Sequence, residues 1–303
     1  MKVAILDLGT NIFNLLLSEI SGKTCKILKV VKIPSFIGAG GFSTGKLSEE
    51  AMSKSIDALG KIREIIDQEG DVGFIKVFAT SAFRDTVNGS EFANNIRDNF
   101  GFEVEIISGD REAELIYKGI RESFLGWDEN MLMCDIGGGS NELIIADQEK
   151  ILWKRSFNLG ILRLKEKFKP GDPIKEDEIK MIKTYLEQEL EPLFEACKRY
   201  LPKLMTGSSG SFDTLRELLY TEDNTFPVRE LDLIDLGVLH QKLLVSNRDE
   251  RLRMPGMSPV RVDYMVLGSI IIQLVIEKCR ISKLYQSSYS LKEGFMAEMA
   301  AQL

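Results

Sequence analysis

Short apolar runs alternate with turn-forming residues at the start of the chain, which is the pattern of strands that pair in a sheet. Residues 3–6 predict a first strand, residues 13–17 a strand that returns beside it, and residues 27–33 a third strand. The turn between the first two strands, residues 7–11, reads Asp-Leu-Gly-Thr-Asn. The chain therefore opens with a predicted β-hairpin and a third strand.

Helices and further strands are predicted for the rest of the first half. Ser48 is expected to cap a helix, because apolar residues follow it at helical spacing from Met52 to Ile66. The other predicted elements are strands at residues 75–79 and 104–107, a helix over residues 90–99 and a helix from Asp110.

The same order of elements begins again at residue 131. An apolar strand at residues 131–134 runs into an Asp-Ile-Gly-Gly-Gly-Ser turn, and a strand returns at residues 143–145, followed by a third at residues 151–156. A long helical stretch follows, and Pro192 is expected to kink or break it. This weak internal repeat predicts a duplicated α/β architecture.

Length and periodicity together predict two domains. A chain of 303 residues is long for a single core. The hydrophobic periodicity is interrupted at residues 126–130, which read Gly-Trp-Asp-Glu-Asn. We therefore expect one lobe at residues 1–126 and a second at residues 127–303, with the ligand in a cleft between them.

The composition does not alter the predicted fold, but it argues against several classes of protein and of segment. Thirty-nine basic and 46 acidic residues give a net charge of −7, which argues against a general nucleic-acid-binding protein. The four cysteines are scattered without CxxC spacing and are expected to be reduced and mostly buried. The most apolar run, residues 265–276, includes a glycine, a serine and a glutamine and predicts a buried helix rather than a membrane span. The short run before Asp7 does not fit a signal peptide, so we expect a cytoplasmic location.

The two Asp-x-Gly turns are the main candidates for chemistry. Backbone N–H groups in tight glycine-rich turns bind phosphate chains, and small residues let the backbone approach the ligand. Carboxylates at the ends of the two strands can hold hydrated Mg²⁺. Either turn alone is equally well explained as an ordinary hairpin turn. The candidate residues are Gly9, Thr10, Gly137, Gly138, Gly139, Ser140 and Asn141 for phosphate and Asp7 and Asp135 for the metal.

Two further residues have both a catalytic and a structural explanation. Glu112 falls in the first turn of a predicted helix, where it can act as a general base on water, or simply complement the helix dipole. Arg84 follows a strand and can clamp phosphate oxygens, or form an ion pair with Asp85. Spacing alone leaves both alternatives open.

Other chemistries are poorly supported by the residues present. The single histidine, His240, lies in an apolar stretch and is expected to be packed, which disfavours catalytic triads and zinc sites. The loop at residues 40–47 approaches the P-loop pattern, but Leu47 stands where that pattern needs Ser or Thr. A plain loop leading into a helix is expected there.

At its motifs the chain resembles the Ppx/GppA family of exopolyphosphatases and guanosine pentaphosphate phosphohydrolases. The motifs keep the family's order from residue 3 to about residue 295. They are DLGTN at residues 7–11, TSAFRD at 80–85, SGDREA at 108–113, DIGGGSNEL at 135–143, GSSG at 207–210 and, less closely, SSYSLKEG at 287–294.

This resemblance implies a two-lobed actin-like α/β fold with ribonuclease H-like duplicated domains, and a Mg²⁺-dependent hydrolase. It implies that Glu112 is the general base and that Arg84 lies near the scissile phosphate. It adds Glu142 to the acidic residues tied to metal and water. It also extends the phosphate-binding set to Asn11, Gly207, Ser208 and Gly210.

Three departures from the family pattern affect these expectations. Ile12 replaces the usual Ser after the first turn and removes one hydroxyl donor. Asn141 replaces the usual Thr but stays polar. Ser290 and Lys292 replace the usual Gly and Arg, so the last strand-to-helix turn is expected to differ in geometry.

The resulting hypothesis is an exopolyphosphatase that releases orthophosphate from the end of inorganic polyphosphate. Guanosine pentaphosphate (pppGpp) and nucleoside triphosphates are alternative substrates. A sugar or acid kinase and a non-enzymatic nucleotide sensor are alternatives from other classes on the same fold. Neither a nucleic acid nor a membrane is an expected partner, and the resemblance implies a homodimer.

Overall fold

The computed structural model describes residues 1–124, 126–221 and 226–302. The strands are β1 (Lys2–Leu8), β2 (Ile12–Ser21), β3 (Thr24–Pro34), β4 (Val72–Ala79), β5 (Val104–Ile106), β6 (Met131–Ile136), β7 (Asn141–Ala146), β8 (Ile151–Phe157), β9 (Leu204–Ser208), β10 (Val228–Leu231) and β11 (Lys283–Ser287). The helices are α1 (Gly41–Thr44), α2 (Glu49–Glu69), α3 (Ser81–Arg84), α4 (Gly89–Phe100), α5 (Gly109–Ser123), α6 (Ile161–Phe168), α7 (Glu176–Glu189), α8 (Glu191–Tyr200), α9 (Ser209–Leu219), α10 (Leu233–Val245), α11 (Arg248–Leu252), α12 (Met265–Cys279) and α13 (Leu291–Gln302).

The first sheet has the strand order β3-β2-β1-β4-β5. Strands β1, β2 and β3 form an antiparallel meander, and β4 and β5 continue the sheet in parallel with β1. The predicted hairpin and third strand are confirmed, and all three strands are longer than the apolar runs that predict them. Their ends carry polar residues on the exposed face, which an apolar run does not include.

The second sheet repeats this order, with one strand added. It runs β10-β11-β9-β6-β7-β8, in which β6, β7 and β8 form the antiparallel meander and β9 and β11 continue in parallel with β6. Strand β10 is the addition and pairs antiparallel with β11 at the edge. The two sheets confirm the predicted duplication and the actin-like α/β fold class.

The chain forms two compact units, and α13 belongs to the first of them. The first unit contains Met1–Glu122 together with α13, and the second is Ser123–Ser290. Helix α13 packs on the first sheet, with the Phe295 and Phe78 rings edge to face at 4.9 Å between centroids. A Cβ on Gly294 would lie 1.8 Å from the carbonyl oxygen of Leu115, so this helix meets the α5 backbone directly. The predicted second lobe, residues 127–303, therefore differs from the observed unit at its C-terminal end.

Several local predictions are confirmed in the helices. Ser48 caps α2, since its side chain accepts a hydrogen bond from the N–H of Ala51. The long helical stretch is broken between Glu189 and Glu191, and Pro192 lies in the first turn of α8. The glycine loop contains the short helix α1, whose flanking Gly40 and Gly45 have positive φ of 69° and 70°. Gly40 and Gly45 are therefore explained by left-handed cap positions.

The apolar run, most of the cysteines and the histidine are buried, as the sequence predicts. Helix α12 is buried along almost its entire length, as its uniform apolar composition predicts. Among the described residues, no helix combines the length and apolar composition needed to cross a bilayer. All four cysteines are free thiols, and Cys134, Cys197 and Cys279 are buried. His240 is packed in the core with Nδ1 2.9 Å from the Ser269 hydroxyl.

Candidate active site

The first Asp-x-Gly turn joins β1 to β2. Asp7 pairs with Asn14 across the hairpin, and the Asn14 amide donates to the Asp7 carboxylate over 3.0 Å. Four residues, 9–12, make the turn between the last paired positions. A Cβ on Gly9 would lie 2.8 Å from the carbonyl oxygen of Ile12, so the turn closes only with glycine there.

The second turn also contains four residues. An aspartate again lies two positions before its first glycine. Asp135 pairs with Glu142, and residues 137–140 make the turn between β6 and β7. Here a Cβ on Gly137 would again lie 2.8 Å from the fourth turn residue, at the carbonyl oxygen of Ser140. Ser140 and Ile12 are therefore the fourth residues of their turns. The second turn has a hydroxyl group at this position, and the first turn does not.

The N-terminus of α6 binds the carbonyl groups of the second turn. Ile161 N–H donates to the Gly137 oxygen over 3.0 Å, and Leu162 N–H donates to the Gly138 oxygen over 2.9 Å. The guanidinium Nε of Arg163 donates to the Gly139 oxygen over 2.9 Å. In a trans peptide the C=O and the next N–H point to opposite sides. The N–H groups that follow these three carbonyls therefore point away from α6, which is the arrangement of an anion-binding turn.

The first turn is held in the same way by a loop instead of a helix. Gly38 N–H donates to the Thr10 oxygen over 3.0 Å, and Ser35 and Phe36 N–H donate to the Asn11 oxygen over 2.9 and 3.1 Å. Among the described residues, Oδ1 of Asn11 is one of the buried polar atoms that has no hydrogen-bond partner. Backbone orientation and an unsatisfied polar atom both make this turn a candidate ligand site.

The two predicted catalytic residues lie next to each other. Arg84 ends α3, and its Nη1 donates to the Glu112 carboxylate over 3.1 Å and to the carbonyl oxygen of Ile107 over 2.8 Å. Arg84 Nε also lies 3.7 Å from the carboxylate of Asp85, so the simple ion pair is present as well. Glu112 is 8% exposed, and a carboxylate this buried requires a partner such as this guanidinium.

Three hydroxyl groups converge on one oxygen of Asp135. Ser208, Ser209 and Ser290 donate to its Oδ2 over 2.8, 2.6 and 2.7 Å. Ser208 is a predicted phosphate-binding residue, but its hydroxyl serves Asp135. Ser209 and Ser290 were not predicted as site residues, although both lie inside the matched motifs. The departure at Ser290 thus supplies one of the three donors.

Glu142 and Asn141 are held by the neighbouring segment. Glu142 is 1% exposed and accepts from the Ser156 hydroxyl over 2.7 Å. Asn141 Nδ2 donates to the carbonyl oxygen of Leu159 over 2.9 Å. The Asn141 amide therefore supports the residues between β8 and α6.

Gly207 and Gly210 are glycines for reasons of packing within the second unit. A Cβ on Gly207 would lie about 2.0 Å from the Phe212 ring, and one on Gly210 would lie 1.8 Å from the Arg261 guanidinium. Side chains of this chain already fill both spaces, so close approach of a phosphate is not needed to explain them. Arg261 lies near enough to Asp135 to feel its charge, and the sequence did not identify it as a candidate. Burial lowers its pKa, and the negative charges of Asp213 and Asp135 act in the opposite direction.

The donor set for a metal is sparse. Within residues 1–124, 126–221 and 226–302, no three His, Cys, Asp or Glu side chains are grouped as metal ligands. The predicted ligands are Asp7 in the first unit and Asp135 and Glu142 in the second. Mg²⁺ usually binds through one or two carboxylates, retained waters and substrate phosphates. The carboxylates of either unit, taken separately, suit Mg²⁺ better than an ion that needs a complete protein cage.

Comparison with known proteins gives a consistent family. The model of the Ppx/GppA phosphatase family matches residues 26–303. A crystal structure of an exopolyphosphatase from Cytophaga hutchinsonii is 35% identical in sequence, with a TM-score of 0.96 over 100% of this chain and 99% of that chain.

Two curated relatives are longer proteins. A bifunctional 3-dehydroquinate synthase/phosphatase from Fusobacterium nucleatum is 28% identical over 90% of this chain and 43% of its own length. A guanosine-5'-triphosphate,3'-diphosphate pyrophosphatase from Photobacterium profundum is 26% identical over 99% of this chain and 59% of its own length. The chain thus spans about half the length of these two relatives. Because the family model covers most of its residues, the chain belongs to the Ppx/GppA phosphatase family.

Proposed function

We propose that this chain is a Mg²⁺-dependent exopolyphosphatase that releases orthophosphate from the end of inorganic polyphosphate. Water attacks the terminal phosphorus, the bond from that phosphorus to the bridging oxygen breaks, and the shortened chain leaves with the oxygen. The water proton passes to the Glu112 carboxylate.

The contact between Arg84 and Glu112 is the observation that carries this proposal. A general base must be held in one position. The Arg84 guanidinium is anchored by the Ile107 carbonyl oxygen and holds the Glu112 carboxylate through a hydrogen bond of 3.1 Å. The same positive charge is suited to stabilising charge on a transferring phosphoryl group. In phosphoryl transfer, positioning and electrostatic stabilisation supply most of the catalysis.

The two glycine turns support the binding part of the proposal. Their carbonyl groups are occupied by α6 in the second turn and by residues 35–38 in the first, so their N–H groups are directed to the other side. Directed N–H groups bind phosphate oxygens without a positive side chain. This matters for a chain with a net charge of −7 that binds a polyanion.

Carboxylates are proposed to hold the metal. Bound Mg²⁺ would neutralise charge on the phosphate oxygens, and the proposed ligands are Asp7 in the first unit and Asp135 and Glu142 in the second. Asp135 is oriented by three hydroxyl donors and Glu142 by Ser156, so the proposed ligands in the second unit have fixed directions.

Hydrolysis of pppGpp is the second candidate, supported by the name of the Photobacterium relative. That relative continues well beyond the length matched here, whereas the exopolyphosphatase from Cytophaga is matched over 99% of its chain. We therefore place polyphosphate first. Nucleoside triphosphates are a third substrate class that the same chemistry would accept. A kinase or a nucleotide sensor would show little phosphate release to water.

Orthophosphate release tests the proposal. Long-chain polyphosphate, tripolyphosphate, pppGpp and ATP are compared with Mg²⁺ and with excess chelator, using wild type, Glu112→Gln and the control Glu114→Gln on the same helix. We expect polyphosphate to have the highest kcat/KM, activity to require the metal, and Glu112→Gln to lose about 10²–10⁴-fold in kcat. Near-normal turnover by Glu112→Gln would remove the assigned base. Higher kcat/KM for pppGpp would reassign the substrate.

A further inference from the structure

A cleft in the second unit lies between the C-terminal part of α6 and helix α7. Its volume is about 470 Å³, and its lining includes Lys167, Phe168, Asp177, Lys180, Met181 and Tyr185. This volume falls within the roughly 300–1,000 Å³ of small-molecule sites in proteins. None of the described residues that line the cleft is a proposed phosphate, metal or catalytic residue.

Two aromatic rings and a thioether form the apolar part of this cleft. The Phe168 and Tyr185 rings are half-buried and meet edge to face, with 5.3 Å between their centroids. Met181 lies one helical turn before Tyr185, so the two side chains share one face of α7. Met181 is 55% exposed. A flat ring that covered Met181 would contact both the thioether and the aromatic groups, and such contacts are favourable.

Two lysines bring positive charge to the same cleft. Nζ of Lys167 lies 3.5 Å from the centroid of the Tyr185 ring, so a cation–π contact holds this ammonium at the wall. The ring faces only one side of the ammonium, whose three N–H donors therefore leave it able to bind a carboxylate as well. Lys180 is exposed, and in the described part of the chain neither lysine forms a salt bridge.

The charges of the cleft favour a ligand with a single negative charge. Asp177 lies one turn before Met181 on α7 and lines the cleft together with the two lysines. Two ammonium groups and one carboxylate leave a net charge of about +1 at neutral pH. A monoanion balances that charge, and an aromatic ring matches the apolar lining.

We propose that this cleft binds a small aromatic carboxylate. The ring packs against Met181 and Tyr185, and the carboxylate is held by Lys167 and Lys180. Helix α6 begins at the second glycine turn, and its last residue, Phe168, is about 10 Å further along the helix axis. The cleft is therefore a separate site, and its occupation does not depend on the proposed hydrolase activity.

Ligand-observed NMR titration at low ionic strength tests the chemistry of the site, with 2-naphthoate as the probe. The amide 2-naphthamide keeps the rings without the charge, and acetate keeps the charge without the rings. We expect a dissociation constant of about 0.1–2 mM for 2-naphthoate. The amide should bind at least about threefold more weakly and acetate at least about tenfold more weakly.

A double lysine variant tests the residues that hold the carboxylate. Lys167→Gln/Lys180→Gln is expected to weaken 2-naphthoate at least about threefold and to leave the affinity for 2-naphthamide unchanged. The matched control is Lys198→Gln/Lys242→Gln, which removes two exposed lysines elsewhere in the second unit and should bind like wild type.

An apolar position provides an independent arm. Met181→Glu places a carboxylate in the cleft and is expected to abolish binding of 2-naphthoate up to about 10 mM. Ile234→Glu is its control, because Ile234 is also an exposed apolar residue on a helix of the second unit. Urea unfolding checks that each variant is folded. The proposal would be overturned by a wild type that does not bind 2-naphthoate, by equal affinity for the amide, or by unchanged affinity in both the double lysine variant and Met181→Glu.

Discussion

Nη1 of Arg84 donates to two oxygen atoms at once, the Ile107 carbonyl at 2.8 Å and the Glu112 carboxylate at 3.1 Å. The backbone thus fixes the arginine, and the arginine fixes the carboxylate. A lysine at this position cannot reproduce both contacts with the planar geometry of a guanidinium.

Arg84→Ala is therefore expected to lower kcat by about 10–100-fold, since hydrogen bonds to charged groups contribute about 1.5–3 kcal/mol. Arg84→Lys should recover only part of the loss. Steady-state measurement of orthophosphate release separates kcat from KM. Arg97→Ala is the control, because Arg97 is exposed and pairs with its neighbour Asp98. Unchanged kcat in Arg84→Ala would show that the contact has no role in turnover.

Substitution of Gly160 tests whether close packing against Gly139 supports the second glycine turn. A Cβ at this position would lie 2.3 Å from backbone atoms of Gly139, although its φ of −58° suits any residue. Gly160→Ala therefore acts through steric overlap alone. We expect it to lower the free energy of unfolding by about 1–3 kcal/mol and to weaken substrate binding, measured by urea unfolding and by KM.

Gly60→Ala is the matched control for that variant. Gly60 lies inside α2, and a Cβ there would have no heavy atom within 4 Å. The alanine restricts the unfolded chain without a clash, so we expect a gain of about 0.4–1 kcal/mol in unfolding free energy. Equal effects of the two alanines would contradict the steric explanation.

Burial lowers the pKa of His240 to about 4, and the positive charge of Lys183 adds to this effect. The Ser269 hydroxyl donates to the carbonyl oxygen of Val266, so Nδ1 of His240 donates to Ser269. With a pKa of about 4 the ring is neutral at neutral pH. The ordinary pKa of histidine is near 6.5. Between about pH 6.5 and 4 the unfolded chain binds a proton that the folded chain does not, and stability falls as the pH falls.

The contribution of this histidine is limited to about 1.4 kcal/mol per pH unit. Urea unfolding of wild type and His240→Gln at several pH values isolates it from the carboxylates, which titrate in both proteins. We expect the wild type to lose stability faster than the variant from pH 6.5 down to about 4. Parallel curves would mean that the imidazole is protonated as readily in the folded chain.

Ser209 combines a strained backbone with a hydrogen bond to Asp135. Its φ of 68° is left-handed, and its hydroxyl donates to Asp135 over 2.6 Å. Ser209→Gly and Ser209→Ala both remove the hydroxyl, but only glycine relieves the strain. The glycine variant should therefore be more stable than the alanine variant by about 1 kcal/mol in urea unfolding. The reverse order would show that this φ is not strained.

Much of the fold follows from local patterns. Apolar runs and glycine turns predict both meanders, and Pro192 predicts the break between α7 and α8, because these signals act over a few residues. The pairing of Arg84 with Glu112 is different, since 28 residues separate them. From the sequence, Arg84 and Glu112 were assigned to the same reaction only because of the resemblance to a family.

The rest depends on contacts distant in sequence. The serines around Asp135 come from β9, α9 and the residue before α13, and no periodicity marks them as neighbours. Gly207 and Gly210, predicted to bind phosphate, have a second explanation, because Phe212 and Arg261 fill the spaces that a Cβ on either glycine would enter. Local composition cannot distinguish a space left for a ligand from one left for a side chain.

The place of α13 in the first unit has a consequence for biosynthesis. The polypeptide leaves that unit after Glu122 and re-enters it only at Leu291. A ribosome therefore completes the whole second unit before it makes the helix that covers Phe78 and the backbone of α5. Until then the nascent first unit exposes the apolar surface that α13 covers in the finished protein, so the unit made first is the last to close its core.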